Sequence, residues 1–431
     1  MHCAGFHGQL GCNHDGNEDT PRLVQLGHTT LPDNPTREEE IMAAVVSCGG
    51  SHSVSISRRG DLYSWGLHSS GELGLGRHAP TEVFLPRQVI LTHRRIVSVT
   101  AGESHTLAIS ENGELWACGR GRRGQLGRAA FHDFWQLQRI DSLRNFRIVS
   151  AAAGQSHSMA LASDGSLFTW GDGQYGQLGH AALEQIQMIQ PLGALAVPIP
   201  QKIGELEPSG LSPPKRITAI AAGGNHSMAL TVCGELLAFG RNHRGQLGLG
   251  EVGNRWRPSR VDLSIGAAVR DSVRAVQVSC GACHTLALIL QGTRLKVLST
   301  GDNYWGQLGH GDVDNRLRFV PITAILHAKP VAVQCGAQHS CAVTERGVLY
   351  TWGRGDCGQL GGGDEWSRRA PAPLEGFRVV HPDRTLRRTK RCAPKYRAVR
   401  RQEAKAPWCL PRCFEAWWGV RGGEVGQPVG M

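Results

Sequence analysis

The chain has 431 residues, 56 of them glycine, with 40% hydrophobic residues and a formal charge of +11. That much apolar material supports a large core and excludes wholesale disorder, and glycines without a three-residue period exclude collagen. No run approaches the ~18 apolar residues of a helical membrane span. The opening Met1-His2-Cys3-Ala4-Gly5 lacks the basic and apolar regions of a secretory signal. With that opening, 13 cysteines, an odd number, read as free thiols in a reducing compartment, cytoplasmic or nuclear.

Such a length suggests two or three ordinary domains unless the chain is a repeat array, so internal repeats decide the architecture. A Gly-x-Leu-Gly block, nearly always Gly-Gln-Leu-Gly, ends at Gly11, Gly74, Gly127, Gly179, Gly248, Gly309 and Gly361, which is seven copies. A Gly-x-x-His-[Ser/Thr] block places His52, His105, His157, His226, His284 and His339, which is six copies. Histidine to closing glycine is 22 residues in five units and 25 in the sixth, whereas closing glycine to next histidine varies from 30 to 47. A rigid half thus alternates with a tolerant one.

Each unit opens on a short apolar run, as in Arg95-Ile96-Val97-Ser98-Val99, Arg147-Ile148-Val149-Ser150 and Arg216-Ile217-Thr218-Ala219-Ile220. The histidine run follows, then a hairpin signal such as Asp164-Gly165 or Asn112-Gly113, then a run such as Leu167-Phe168-Thr169-Trp170-Gly171. Helical periodicity is absent. Small antiparallel sheets of this kind cannot bury both faces alone, so neighbours must stack, and closing the stack into a ring removes exposed edges.

The pattern Cys/Ala-Gly-x-x-His-[Ser/Thr]-x-Ala-Leu, a glycine-led hairpin, then Trp-Gly-x₄-Gly-Gln-Leu-Gly resembles the repeat of the regulator of chromosome condensation family. The resemblance covers residues 1–380. It implies an all-β, seven-bladed β-propeller of four-stranded antiparallel blades; residues 381–431 lack the repeat and read as a basic, disordered tail. Because the chain opens in mid-unit, its layout is similar to the N-terminal propellers of HECT-type ubiquitin ligases, here without a HECT domain. Only six histidine halves accompany seven Gly-x-Leu-Gly halves. Phe377-Arg378-Val379-Val380 resembles the opening strand of the missing half, so the last or first blade is expected to be incomplete.

The six repeat histidines sit one per blade around a ring and cannot converge at the ~2 Å that zinc ligation requires, so a structural role is expected and no metal. Cys280-x-x-Cys283 looks like half a zinc knuckle, but Cys280 shares its repeat position with Cys48 and Cys335 and reads as a core thiol. Gly119-Arg120-Gly121-Arg122-Arg123-Gly124 lies between strands rather than before a helix, so it is turn chemistry and no cofactor is expected. No catalytic arrangement stands out.

The four-residue tips between each third strand and Gly-x-Leu-Gly are the candidate partner-binding positions, because arginine, tyrosine and tryptophan dominate binding hot spots. They supply Arg120, Arg122 and Arg123; Tyr175; Arg241, His243 and Arg244; Tyr304 and Trp305; and Arg354 and Asp356. The insertion from His180 to Pro214 is the second candidate, a wedge in exchange-factor members of the family. A light-sensing branch carries tryptophan just before the repeat histidine. Here those positions hold Ser51, Ser104, Ser156, Asn225, Cys283 and Gln338, so indole photochemistry is not expected.

Residues 381–431 hold 12 Lys/Arg against 4 Asp/Glu, densest around Arg387, Arg388, Lys390 and Arg391, whereas residues 1–380 hold 35 against 32. The nucleic-acid or chromatin hint therefore belongs to the tail. The expected function is a protein-interaction propeller without membrane contact. The resemblance adds two alternatives: nucleotide exchange on a Ran-like small GTPase, and substrate recognition with a ubiquitin-ligase component.

Overall fold

Runs of β-branched and aliphatic residues either side of a glycine turn pair as a hairpin, and each repeat flanks that hairpin with two further strands. In the third repeat Ile148–Ala153, His157–Ala162, Leu167–Asp172 and Ala196–Lys202 form one antiparallel sheet in chain order. Gly165 turns the central hairpin at φ 90°, a conformation that a side chain would strain, with its N–H on the Ala162 carbonyl at 3.0 Å.

The computed structural model describes residues 5–31, 34–91, 94–184, 195–204, 216–264 and 273–379. Most of the 180–214 insertion and the whole tail, including Arg387, Arg388, Lys390 and Arg391, lie outside them. Six four-stranded sheets form among the described residues, spanning 43–89, 96–139, 148–202, 217–260, 273–321 and 330–378, here blades I to VI. A two-stranded sheet, His28–Leu31 with Asn34–Glu40, precedes them. First strands of successive blades pack on one another, so the fourth strands are outermost. The core lies between blades: Leu107 and Ile109 of blade II pack with Ile148, Phe168 and Trp170 of blade III.

Polar contacts fix how each blade meets the next. Ser158 of blade III donates its hydroxyl proton to the carbonyl of Gln125 in blade II at 2.8 Å, and the same oxygen lies 2.9 Å from His105 Nε2 of blade II. With its proton committed, the hydroxyl can only accept from the imidazole, so Nε2 carries the hydrogen. Trp170 Nε1–H joins the same Gln125 carbonyl at 2.8 Å. Equivalent histidine contacts link His52 to Thr106, His157 to Ser227, His226 to Thr285 and His284 to Ser340, all at 2.9–3.0 Å. The glycine of Gly-x-x-His leaves room for the ring: a Cβ on Gly154 would sit 2.2 Å from His157 Cε1.

The seven-bladed expectation is corrected to six complete sheets with part of a seventh unit. The seventh Gly-x-Leu-Gly, Gly8 to Gly11, has no histidine half to pair with among the described residues, so it docks on its neighbours instead. The Gln9 carbonyl accepts Ser53 Oγ and Trp65 Nε1 of blade I at 2.8 and 2.9 Å, repeating the Gln125 arrangement. On the other side the Gly363 N–H of blade VI donates to the Asp19 carbonyl at 2.8 Å. Gly250 and Gly311 make the same bond to the outer strands Arg316–Pro321 and Arg368–Arg378 of the blades that follow them. Residues 5–21 thus bridge blades VI and I. Val379 donates to the Gly347 carbonyl at 2.8 Å, as Ile96 does to Gly60 where the first strand of blade II begins. The opening strand expected at Phe377–Val380 is not formed among the described residues: Phe377 and Arg378 end the outer strand of blade VI, where Arg378 pairs with Val348, and Val380 lies outside the described set.

Burial dominates the histidine titration. It lowers His105, His157, His226 and His284 to about 3 and His52 to about 4, with the next histidine in the ring a smaller cause for most of them. Folded values below the unfolded 6.5 mean that the unfolded chain takes up more protons as pH falls between 6.5 and about 3. Their contribution is complete above pH 6.5 and is lost on acidification, by over ~1 kcal/mol per histidine at one unit below the unfolded value. Urea midpoints should fall steeply between pH 7 and pH 5.5, and a flat profile would refute the neutral, buried assignment. Ser158→Ala strands the His105 Nε2–H and should cost ~1–3 kcal/mol in urea unfolding. Ser158→Thr should stay close to the parent, since Thr106 and Thr285 do the same job in other blades.

Candidate interaction face

Antiparallel order puts the connection between strands one and two and that between strands three and four at the same end of every blade. The first tip residue joins the two connections. Backbone N–H groups of Leu67, Arg120, Asp172, Arg241, Asp302 and Arg354 donate at 2.8–2.9 Å to the carbonyls of Ser51, Ser104, Ser156, Asn225, Cys283 and Gln338. All the candidate tip residues therefore share one face.

Neighbouring tips also touch. The Arg241 guanidinium lies 4.7 Å over the Tyr175 ring and that of Arg354 lies 5.0 Å over Trp305, each pair crossing from one blade to the next. Arg244 approaches Asp302 of the following blade at 3.8 Å. Tyr304 and Trp305 meet edge to face at 5.2 Å. Arg354 is held by both carboxylate oxygens of Asp356 at 2.7 and 2.9 Å and by Gln338 Oε1 at 2.7 Å, which keeps the Asp356 carboxyl below its ordinary value.

The four tip positions are not equivalent. The second residue is buried in all six tips: His68, Gly121, Gly173, Asn242, Asn303 and Gly355. Asn242 Oδ1 accepts the Leu247 N–H at 3.0 Å and its Nδ2 donates to the Glu251 carbonyl at 2.7 Å, and Asn303 repeats both contacts. Where the second residue is glycine the chain fills its place: a Cβ on Gly121 would lie 2.0 Å from the His132 carbonyl oxygen. The glutamine of Gly-Gln-Leu-Gly accepts the fourth tip residue's N–H at 2.8–3.0 Å in blades II to V, as at Arg123, Tyr175, Arg244 and Trp305. Side chains at the third and fourth positions are left to face solvent: Arg122, Arg123, His243, Arg244, Tyr304 and Asp356 are exposed, as is Arg120 at a first position. Tyr175, Arg241, Trp305 and Arg354 are half-buried through their mutual stacking.

Burial raises the Asp172 carboxyl, with the Arg123 charge opposing, while burial and the charges of Arg241 and Arg244 lower His243. A depression of about 590 Å³ opens between blades IV, V and VI, lined by Arg244, Cys283, Asp302, Tyr304, Trp305 and Val313 among others. Cys283 belongs to this surface, whereas Cys48, Cys280 and Cys335 share one strand position where burial raises their thiols. Gly119-Arg120-Gly121-Arg122-Arg123-Gly124 is a strand end and turn, as its flanks suggested.

The sequence reading missed a second set. Phe131, Val252, Val313 and Trp366, on the connections after Gly-x-Leu-Gly, are 53%, 59%, 43% and 77% exposed. Aligning the closing glycines would have found them, since they fall four residues beyond Gly127, Gly248 and Gly309 and five beyond Gly361. Their connections return to the tips: Gly121, Asn242, Asn303 and Gly355 donate backbone N–H to Asp133, Asn254, Asn315 and Ser367 side chains at 2.9–3.3 Å. Arginines and large apolar groups are thus interleaved on one face, the mixture that characterises protein-binding surfaces.

One cluster with metal-ligand chemistry occurs among the described residues, on the connection after Gly8 to Gly11. Ligand-type atoms of Cys12, His14 and Glu18 fall within 4.8 Å of one another. His14 Nδ1 accepts the Gly16 N–H at 3.1 Å, so Nε2 carries the proton and donates to Glu18 at 2.7 Å, while the other Glu18 oxygen meets Arg22 at 2.6 Å. His14, Glu18 and Arg22 thus satisfy one another, while Cys12 Sγ donates to the Leu10 carbonyl at 3.6 Å.

A ring of Gly-x-x-His and Gly-Gln-Leu-Gly blades defines a class, and the comparisons agree. Residues 2–389 match the RCC1-like domain, and the chain belongs to that family. It is 32% identical to the ultraviolet-B receptor UVR8 of Arabidopsis thaliana, over 87% of this chain and 77% of that protein. It is 33% identical to the probable human ubiquitin ligase HERC3, over 77% of this chain but 34% of that protein. Mouse secretion-regulating guanine nucleotide exchange factor is 30% identical, over 78% of this chain and 67% of that protein. Yeast Prp20p has a similar fold, with a TM-score of 0.68 at 23% identity, covering 86% of this chain and 84% of that one.

The tip geometry yields a contrast. Asn242→Ala should lower stability by ~1–2 kcal/mol because the buried Leu247 N–H and the part-buried Glu251 carbonyl lose their partner, whereas His243→Ala next to it should stay within ~0.5 kcal/mol. Urea unfolding of the two variants checks this, and equal effects would contradict the division of the tip.

Proposed function

We propose that the protein is a non-catalytic interaction propeller that engages partner proteins through the face formed by its tips and the connections after Gly-x-Leu-Gly. One observation carries this reading. The repeated residues are consumed in contacts between blades, and exposed arginines, Tyr304, Trp366, Phe131 and Val313 recur on a single face beyond them. The family relatives carry names as different as a light receptor, a ubiquitin ligase and an exchange factor. That spread fits a shared scaffold whose loops select the partner. The six positions before the repeat histidines hold no aromatic residue, so light reception is not carried over.

Guanine nucleotide exchange, named in one relative, would use the same face, here on a small GTPase whose empty form it would stabilise. Substrate recognition for a ubiquitin-ligase component would use it as well. Cytoplasmic or nuclear placement accompanies this reading, with the basic run at Arg387, Arg388, Lys390 and Arg391 as an added chromatin or nucleic-acid contact.

Affinity capture with the full chain and with Val313→Ser/Trp366→Ser tests the proposal. Both substitutions replace exposed side chains and should leave the unfolding midpoint unchanged. A set of proteins held by the parent should be lost with the variant; an identical set from both chains would reject this face. A parallel assay of labelled GDP release from a panel of small GTPases separates exchange from plain binding.

A further inference from the structure

Charge is unevenly distributed around the tips. Blades II and IV contribute Arg120, Arg122, Arg123, Arg241 and Arg244 and no acid, and the one acid on the blade III tip, Asp172, is buried. On blades V and VI the tips carry Asp302, Asp356 and Arg354, with Arg354 clamped by Asp356. The blade I tip, Leu67-His68-Ser69-Ser70, has no formal charge.

Elsewhere on this face arginines are neutralised locally. Arg255 pairs with Glu251, Arg316 with Asp312 and Arg368 with Asp364, each four residues away on the same connection. Arg120 and Arg123 have no ion-pair partner among the described residues, and Arg122 and Arg244 reach acids only at 3.7 and 3.8 Å. The two groups flank one tip: Arg123 acts on Asp172 from one side, and Arg241 covers Tyr175 from the other. They form one continuous cationic arc over blades II to IV. Exposed Phe131 and Val252 stand on the connections of blades II and IV.

Resting on the interaction reading above, we infer that this arc is the docking site for an acidic protein segment. Exposed guanidinium groups on a rigid ring, with Arg120 and Arg123 lacking an ion-pair partner among the described residues, hold their charge at fixed spacing, which steers and selects a complementary chain. Exposed apolar groups among the arginines favour a polypeptide over a nucleic-acid backbone, because they offer contacts that phosphates cannot use.

Fluorescence anisotropy of labelled polyglutamate with the full chain tests the inference. The charge reversal Arg120→Glu/Arg122→Glu/Arg123→Glu should weaken binding at least ~tenfold and flatten its salt dependence. Substitution of the tail cations Arg387, Arg388, Lys390 and Arg391 by glutamine should change it less than ~threefold. All three reversed arginines are exposed, so circular dichroism and the unfolding midpoint should match the parent. Binding that follows the tail variant instead overturns the inference, as does duplex DNA that binds more tightly than polyglutamate and is lost with the arc. If the Val313→Ser/Trp366→Ser chain loses its captured proteins while polyglutamate never binds the parent, the acidic-partner inference falls and the interaction reading stands.

Discussion

One hydroxyl per interface holds the ring together. It belongs to the serine or threonine after the repeat histidine in blades II to VI, and the preceding blade grips it twice, through an imidazole N–H and through the backbone carbonyl at the second position of Gly-x-Leu-Gly, Glu72 at the first interface and glutamine at the others. The proton order is directional, so every blade faces its neighbour in the same sense. Five of these histidines are neutral and buried, and four of them keep an Nδ1 with no partner among the described residues. A charge there would be buried without a counterion among the described residues, which ties the integrity of the ring to the protonation of its interior.

The same contacts create the exposed face. Because the glutamine carbonyl is used by the next blade and its side chain caps the tip, the Gly-Gln-Leu-Gly turn is fixed at both ends. The second tip residue folds inward to serve the following leucine N–H or leaves room for the chain itself. The third and fourth residues are left pointing outward on a rigid base. Their stacks across blades, Arg241 on Tyr175 and Arg354 on Trp305, join separate turns into one surface. The variable residues thus sit where substitution costs the scaffold little, which is how one repeat can serve partners of different chemistry.

Most of the scaffold could be read from spacing. Twenty-two residues from histidine to closing glycine leave room for one hairpin and one turn, and the structure places that hairpin and turn in every blade. The central role of the histidines was legible because identical residues at one repeat position cannot form a single site. What they bond to was not legible, since Ser158 is 53 residues from His105 and the two meet only when blades stack. The uniform tips of the sequence reading divided into inward and outward positions for the same reason: burial of Asn242 depends on Glu251 and Leu247 folding back over it. Phe131, Val252, Val313 and Trp366 went unnoticed because a lone apolar residue in a loop carries no signal until its copies are seen on one face.

Residue identity and period alone dictate the repeat, the all-β class, the family and the charge split between residues 1–380 and 381–431. The count of complete blades, and which tip arginines remain unpaired, were decided by tertiary structure. A Gly-x-Leu-Gly half scores as a unit on paper, but a blade forms only where three further strands are present to share its hydrogen bonds. Gly8 to Gly11 therefore became a bridge between blades VI and I. Likewise, an arginine's charge is free or neutralised according to which acid the fold brings within reach, and linear distance does not reveal that.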